Sequence, residues 1–218
     1  MLIFPLIRSS AIPDATLSYA DRYGDSANQT SYTATGIGIG TAAANRTLII
    51  TSTGFGFNTT TRHSSLTVDG SAATAIGTEA VNSEEVGRIW VIDYPTGTTA
   101  DIVLTFDGTQ GGCDIGVFAA YGISTTAHDF QKDQDGGISP SVSLNVPAGG
   151  VAVAVGVSQE AAGSTWTGLT ERWDDTLQAG VSGTGAGDAF ASVQSGLTVS
   201  VDFSSSENVL LAASFPKG

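Results

Sequence analysis

The sequence predicts an all-β protein: a two-sheet antiparallel β-sandwich, jelly-roll-like, of about eleven to twelve strands. Three observations predict it. Apolar and polar residues alternate with period two in many short runs, turn signals fall roughly every 8–12 residues, and no stretch carries an amphipathic helical period. The 28 glycines, with abundant Thr, Ser, Ala and Val, favour strands and tight turns over helices. A chain of 218 residues buries a large core without staples, and all-β folds of this size are often single domains. The sequence divides into residues 1–30, an N-terminal arm or edge segment, and 31–218, the sandwich domain.

Taken in order, residues 1–8 are apolar, with Leu2, Ile3, Phe4, Leu6 and Ile7. They read as an edge strand, or as an arm that pairs with another subunit by edge addition. Residues 9–29 are polar and turn-rich. SYTATGIGIG then begins a strand whose Gly36, Gly38 and Gly40 mark a bulge or a close backbone approach. RTLIITSTG (46–54) is a strong strand, GFNTTTRHS a loop, and SLTVDG (65–70) turns through Asp-Gly into SAATAIGTEA as a hairpin.

The stretch from Arg88 to Ile123 reads RIWVIDY, PTGTT, ADIVLTF, DGTQGG, CDIGVFAAYGI: strand, turn, strand, turn, strand, an antiparallel meander. Within it Ile102, Leu104 and Phe106 share one face, opposite Val103 and Thr105. Residues 124–141 are the longest irregular region. SVSLNV and VAVAVGVS form a second hairpin through PAGG, and the flat face of Ala152, Ala154 and Gly156 calls for a closely packed neighbour. TWTGLTERWDD (165–175) is a strand and bend; GDAFASV, LTVSVDF and NVLLAASF finish the chain. Neither a composition break nor a fixed-period repeat divides residues 30–218, although SYTATG and STWTGL are faintly alike.

Charge excludes some partners. Charged residues make up 13% of the chain, and 8 basic against 21 acidic residues leave a net charge of −13. Such a surface repels nucleic acid, whose binding depends on clustered Lys and Arg, so no direct nucleic-acid contact is expected. No run approaches the roughly 20 apolar residues of a membrane span. MLIFPLIR lacks the length and leading basic residues of a secretion signal, so a soluble chain made in a cytoplasm is expected.

Reactive chemistry is sparse. Cys113 is alone and reads as a small buried apolar residue. His63 and His128 read as exposed loop histidines, with no nucleophile elbow in the chain. Asp129, Asp133, Asp135, Gly136 and Gly137 resemble a calcium loop in composition but lack its spacing, so no metal is expected. Glu79, Glu84, Glu85, Glu160, Glu171, Asp174 and Asp175 are candidate glycosidase carboxylates that read as surface charge. GTGAGDA (183–189) precedes strands, not a helix, so no phosphate cofactor is expected. Trp90 reads as core. Trp166 and Trp173, with polar neighbours, are candidate glycan contacts, their alternative being core packing. The sequence therefore predicts a chain without catalytic residues.

The segments NRTLIITSTG (45–54), LTVDGSAATAIGTEA (66–80), GRIWVIDYPTGTTADIVLTFDG (87–108), CDIGVFAAYGISTTA (113–127), VPAGGVAVAVGVS (146–158) and TWTGLTERWDD (165–175) stand in one order. In this the chain resembles a family of small β-sandwich structural proteins of tailed bacteriophages, prophages and gene-transfer particles. YPTGTTADIVLTF followed by CDIGVFAAYGI is the most specific part, and the resemblance covers roughly residues 31–215. It implies a virion component of decoration, head-fibre or tail accessory type, located in the particle and made in the host cytoplasm. It implies capsid or tail proteins as partners, a homo-oligomer, and no catalytic residues or cofactor. Leu2, Ile3, Phe4, Leu6 and Ile7 become the expected particle-attachment residues. The alternative is a carbohydrate-binding or host-recognition module using Trp166 and Trp173.

Overall fold

Strands without a polar face must be covered from both sides. RTLIITSTGF, GCDIGVFAAY, GVAVAVGVS and NVLLAASF are such strands, buried almost throughout. The computed structural model meets their demand with four stacked layers of antiparallel sheet. It describes residues 14–56, 60–135, 137–159, 163–178 and 181–218. Leu2, Ile3, Phe4, Leu6 and Ile7 lie outside the described residues.

Seventeen strands are described, in two successive groups. The first holds β1 (Thr16–Asp25), β2 (Gln29–Gly38), β3 (Arg46–Phe55), β4 (His63–Val68) and β5 (Ser71–Ala72). It continues with β6 (Thr74–Asn82), β7 (Glu85–Asp93), β8 (Thr99–Gln110) and β9 (Gly112–Tyr121). The second group holds β10 (Asp129–Asp133), β11 (Ser141–Val146), β12 (Gly150–Ser158) and β13 (Thr165–Thr167). It ends with β14 (Glu171–Gln178), β15 (Val181–Phe190), β16 (Gln194–Asp202) and β17 (Asn208–Phe215).

Each group closes as a jelly roll of two sheets. In the first, the inner sheet runs β1-β9-β3-β7-β6 and the outer sheet β2-β8-β4-β5. In the second, the inner sheet runs β10-β17-β12-β15-β14 and the outer sheet β11-β16-β13. Matched in chain order, with β5 set aside, every pairing of the first jelly roll recurs in the second. The chain is thus a tandem repeat of one topology. The sequence shows no such repeat because strand order recurs while the residues do not. SYTATG lies in β2 and STWTGL around β13, which occupy different places in the two units.

The all-β antiparallel sandwich is as predicted, but the described residues form four sheets, not two, and seventeen strands, not eleven or twelve. The added strands include β1, within the stretch read as turn-rich, and β10, within the stretch read as irregular. β1 is the edge strand of the inner sheet and pairs with β9 from Thr16↔Tyr121 to Asp25↔Cys113. The expected meander is also corrected. β7 and β9 are inner-sheet strands, each paired with β3, while β8 belongs to the outer sheet between β2 and β4. Alternation identifies a strand without naming its partner, and the turns PTGTT and DGTQGG carry the chain across the sandwich. For the same reason β11 and β12 are no hairpin: β11 pairs with β16, and β12 with β15 and β17. The Asp-Gly turn does form, with positive φ at both Asp69 and Gly70, but only Ser71 and Ala72 of the expected return strand pair with β4; Thr74–Asn82 crosses to the inner sheet beside β7.

Three apolar layers hold the stack. Leu48, Ile50, Ile115 and Val117 pack against Tyr32, Leu66, Ile102 and Leu104 within the first jelly roll. Ala152, Ala154, Leu210 and Ala212 pack against Leu144, Val199, Val201 and Phe203 within the second. The flat face foreseen on β12 is covered there, and a Cβ at Gly156 would lie 2.8 Å from the Phe203 ring. Between the jelly rolls, Ile49, Ile89, Val91 and Phe118 meet Val153, Val155, Leu211 and Phe215. Across this middle layer β1 lies over β14 and β15, and β10 over β6, so equivalent edges sit at opposite ends. That is the geometry of an isologous dimer contained in one chain.

The middle layer, not the connecting segment at 124–128, holds the two units together. A protease site inserted there and cut should leave both halves co-eluting on size exclusion until denaturant is added. Separate elution in native buffer contradicts this account of the interface.

Candidate functional site

The tryptophans proposed as glycan contacts occupy opposite faces of the second inner sheet. Trp173, on β14, is buried in the middle layer. Its indole nitrogen fits between Gly116 of β9 and Gly185 of β15, where a Cβ on either glycine would overlap the ring. Burial leaves this ring no open face for a sugar, so Trp173 takes the alternative role of core packing. Trp166, on β13, is half-buried on the other side, and its Nε1 donates to Thr184 Oγ1 at 2.9 Å. The two rings cannot form one platform.

His63 is buried, not exposed in a loop. Its Nε2 lies 3.0 Å from Ser52 Oγ, its Nδ1 contacts Glu79 Oε1, and Trp90 Nε1 donates to the same Ser52 Oγ at 2.9 Å. Burial lowers the imidazole pKa against the opposing pull of Glu79. The ring is therefore neutral, accepting from Ser52 and donating to Glu79. This is the connectivity of a serine–histidine–acid relay. Ser52 Oγ nevertheless lies inside the outer core layer, at a residue with 0% exposure, where the geometry offers a substrate no approach. The chain Glu79–His63–Ser52–Trp90 satisfies polar groups inside an apolar layer.

The other sequence candidates are scattered. Asp129 accepts from Asn145 N, and Asp133 from Ser141 N and Asp135 N, so both carboxylates cap backbone amides. Asp175 pairs with Arg22, Asp174 caps Ser164 N, and Glu160 lies outside the described residues. His128 is exposed. Cys113 is buried, and burial raises its thiol pKa well above the ordinary value. Among the described residues no group of three or more His, Cys, Asp or Glu side chains is placed to hold a metal ion.

Sequence reasoning missed Arg46. Only 1% exposed, its guanidinium donates to five carbonyls: Tyr94 O, Ile39 O, Gly40 O, Gly97 O and Thr96 O. Among the described residues no carboxylate pairs with it. Its planar fork ties the β2–β3 loop to the β7–β8 loop, a task the single ammonium of lysine cannot copy. A charge opening so apolar a strand was the available signal, since buried charges must be fully hydrogen-bonded.

Those loops wall a groove of about 590 Å³ whose lining includes Thr16, Asn45, Thr47, Asp93, Pro95 and Tyr121. An adjoining hollow of about 280 Å³ shares Asp93 and adds Thr74, Thr125 and Thr126 from β6 and the connecting segment. Thr47 Oγ1 donates to Asp93 Oδ1 at 2.6 Å and holds that carboxylate at the junction. None of the candidate glycosidase carboxylates lines either hollow.

Two buried carboxyls lie toward the opposite end of the inner sheets. Asp114, on β9, is wholly buried against Gly183, with Arg22 Nη1 3.6 Å away and no hydrogen bond to either oxygen among the described residues. Burial pushes its pKa up to about 8, against the opposing pull of Arg22. Glu85, at the start of β7, is pushed up to about 7 by burial, with Glu207 and Glu84 adding to the rise.

The fold defines the class: a tandem jelly-roll β-sandwich. No family model and no curated protein matches the chain. Among solved structures it has a slight likeness to the M1 zinc metallopeptidase from Deinococcus radiodurans, 12% identical over 87% of this chain and 42% of that one. The TM-score of 0.18 is too low to carry an argument. No helix among the described residues is long and apolar enough to cross a membrane.

Two outcomes follow from the buried charges. Replacing Arg46 by Lys or Met leaves loop carbonyls unpaired and should lower unfolding stability by about 2–4 kcal/mol in urea melts. Asp114 and Glu85 have folded pKa values above their unfolded ones, so between about pH 4 and pH 8 these two groups hold more protons in the folded chain than in the unfolded one, whereas buried His63 works in the opposite sense in acid. Their contribution is then greatest in acid and is lost as pH rises through that window. Melting temperature should fall from pH 5 to pH 9, by the equivalent of about 1–3 kcal/mol, and Asp114→Asn with Glu85→Gln should flatten the slope.

Proposed function

We propose that this chain is a non-enzymatic structural protein of a tailed-phage particle, a capsid decoration or head/tail accessory protein held by contacts with several capsid or tail subunits. It works in the virion after synthesis in the host cytoplasm, and as a symmetric oligomer matched to repeated sites.

The observation that carries this reading is the build of the block. Two jelly rolls share a doubly covered pair of inner sheets, leaving two outer walls paved with small hydroxyl side chains. Ser31, Thr105 and Ser65 stand in one row across the first wall; Ser141, Ser200 and Thr167 stand in one row across the second. Jelly rolls serve as capsid and lectin domains, and that support is one of fold analogy. The resemblance of residues 31–215 to phage structural proteins points the same way. An acidic surface with a net charge of −13 keeps a decorated particle from adhering to nucleic acid. Asp14, where the described chain begins, lies 3.5 Å from Lys217 at one end of the stack. The segment bearing Leu2, Ile3, Phe4, Leu6 and Ile7 joins the block there, and it is the attachment arm in this proposal.

Particles assembled with the chain lacking residues 1–12 test it. Loss of incorporation, with an unchanged β-rich circular dichroism spectrum, is the expected result. Full incorporation rules out the arm as the anchor, and absence of the intact chain from purified particles ends the proposal.

A further inference from the structure

The groove around Asp93 is lined in part by Asp14, where the arm joins the block, and core packing does not use it. Its chemistry is specific. Asp93 stands where the two hollows meet, with Oδ1 taken by the Thr47 hydroxyl at 2.6 Å. Thr47 is itself 2% exposed, so a buried side chain fixes the orientation of an exposed carboxylate. Asp93 Oδ2 accepts no hydrogen bond among the described residues. Hydroxyls line both hollows: Thr16 on one side of Asp93, and Thr74, Thr125 and Thr126 on the other. Tyr121 is held in place by its own hydroxyl, which donates to Thr41 O at 2.8 Å, and with Pro95 it adds apolar wall to the larger hollow.

Each feature narrows the occupant. An anion is disfavoured, because Asp93 and Asp14 both line the larger hollow in a chain of net charge −13. A metal ion is disfavoured by the absence of any three-ligand group among the described residues. An apolar ligand would leave the hydroxyls and the carboxylate without partners. A ligand rich in hydroxyls suits all of them: its O–H groups donate to the open carboxylate oxygen, threonine hydroxyls serve as donor or acceptor, and its C–H faces rest on Tyr121 and Pro95. At about 590 Å³ and about 280 Å³, the two hollows have volume for more than one ring.

We propose that the groove centred on Asp93, between the ends of β3, β7 and β9 and the segment joining the two jelly rolls, binds a short neutral oligosaccharide. Asp93 is its principal polar contact, and Thr47 is a positioning residue that acts through Asp93. This site is separate from Trp166 and Trp173, and it does not depend on the virion role.

The test is a glycan array probed with the full-length chain, followed by calorimetry on the best neutral oligosaccharide. Asp93→Ala should weaken that binding at least about tenfold, and Thr47→Val should weaken it several-fold. Both variants should keep the wild-type melting profile, and Trp166→Ala should bind as wild type. Thr47→Ser, which restores a hydroxyl, should recover most of the affinity lost in Thr47→Val. No binding of any neutral glycan at millimolar concentration overturns the proposal. So does a preference for acidic glycans or peptides, or binding indifferent to Asp93→Ala. Particle incorporation of Asp93→Ala separates this site from the attachment role, because a groove variant that binds no glycan should still assemble.

Discussion

The two inner sheets can meet only because small residues on one lie opposite large residues on the other. β15 presents Gly183, Gly185 and Gly187 to the first jelly roll, with Phe118 and Leu17 in the space at Gly187, while Trp173 of β14 lies over Gly185 of its own sheet and fits against Gly116 of β9 opposite. On the other side Leu211 of β17 reaches over Gly87 of β7. Stacked sheets sit about 10 Å apart, a gap that admits one interdigitated layer of side chains and no second. Each glycine therefore sets the place of a particular large neighbour, and the pairing fixes how the jelly rolls sit against each other. A Cβ at these positions would push apart sheets that have cover on both faces and no room to yield.

The same tightness explains the charges inside the block. Asp114 points into the middle layer beside Gly183, where a bulkier residue would occupy its space. Arg22 from β1 and Asp175 from β14 meet there across the two jelly rolls. Removing Asp114 from water costs more than Arg22 returns, and its raised pKa is that imbalance expressed as proton affinity. Arg46 is the opposite case. Five carbonyls surround its guanidinium, so the buried charge becomes a brace between loops.

What the sequence could reveal follows from what alternation encodes. In LTVSVDF the period-two pattern puts Leu197, Val199, Val201 and Phe203 on one face; the structure buries the last three and half-buries Leu197. The small residues of β12 called for close cover, which Phe203 and Val201 supply at Gly156. Alternation says nothing of which strand lies alongside, so β7, β8 and β9 read as neighbours although the chain crosses the sandwich between them. Strands buried on both faces lose alternation altogether; RTLIITSTGF signals burial but not a second sandwich behind it. The groove was hidden for a different reason. Thr47, Asp93 and Tyr121 come from three strand ends brought together by jelly-roll winding, and no local spacing joins them. Ser52, His63 and Glu79 were separated in the same way, by 11 and 16 residues.

Where this block can contact anything else follows from how its faces are used. The inner sheets spend both faces on packing, and each outer sheet spends one. Only the outer walls, the sheet edges and the two ends remain. The walls carry rows of short hydroxyls, such as Ser31 beside Thr105 at 3.3 Å, which give many equivalent weak contacts and no single strong one. Surfaces of that kind suit repeated, multivalent attachment better than recognition of one small molecule. Recognition needs convergence, and convergence occurs where loops cross. At the end bearing Asp93, the Arg46 brace stiffens two of those loops and the segment between the jelly rolls closes the side. The groove is therefore a product of the first sandwich's open end, which the connecting segment and Gly218 close along one side.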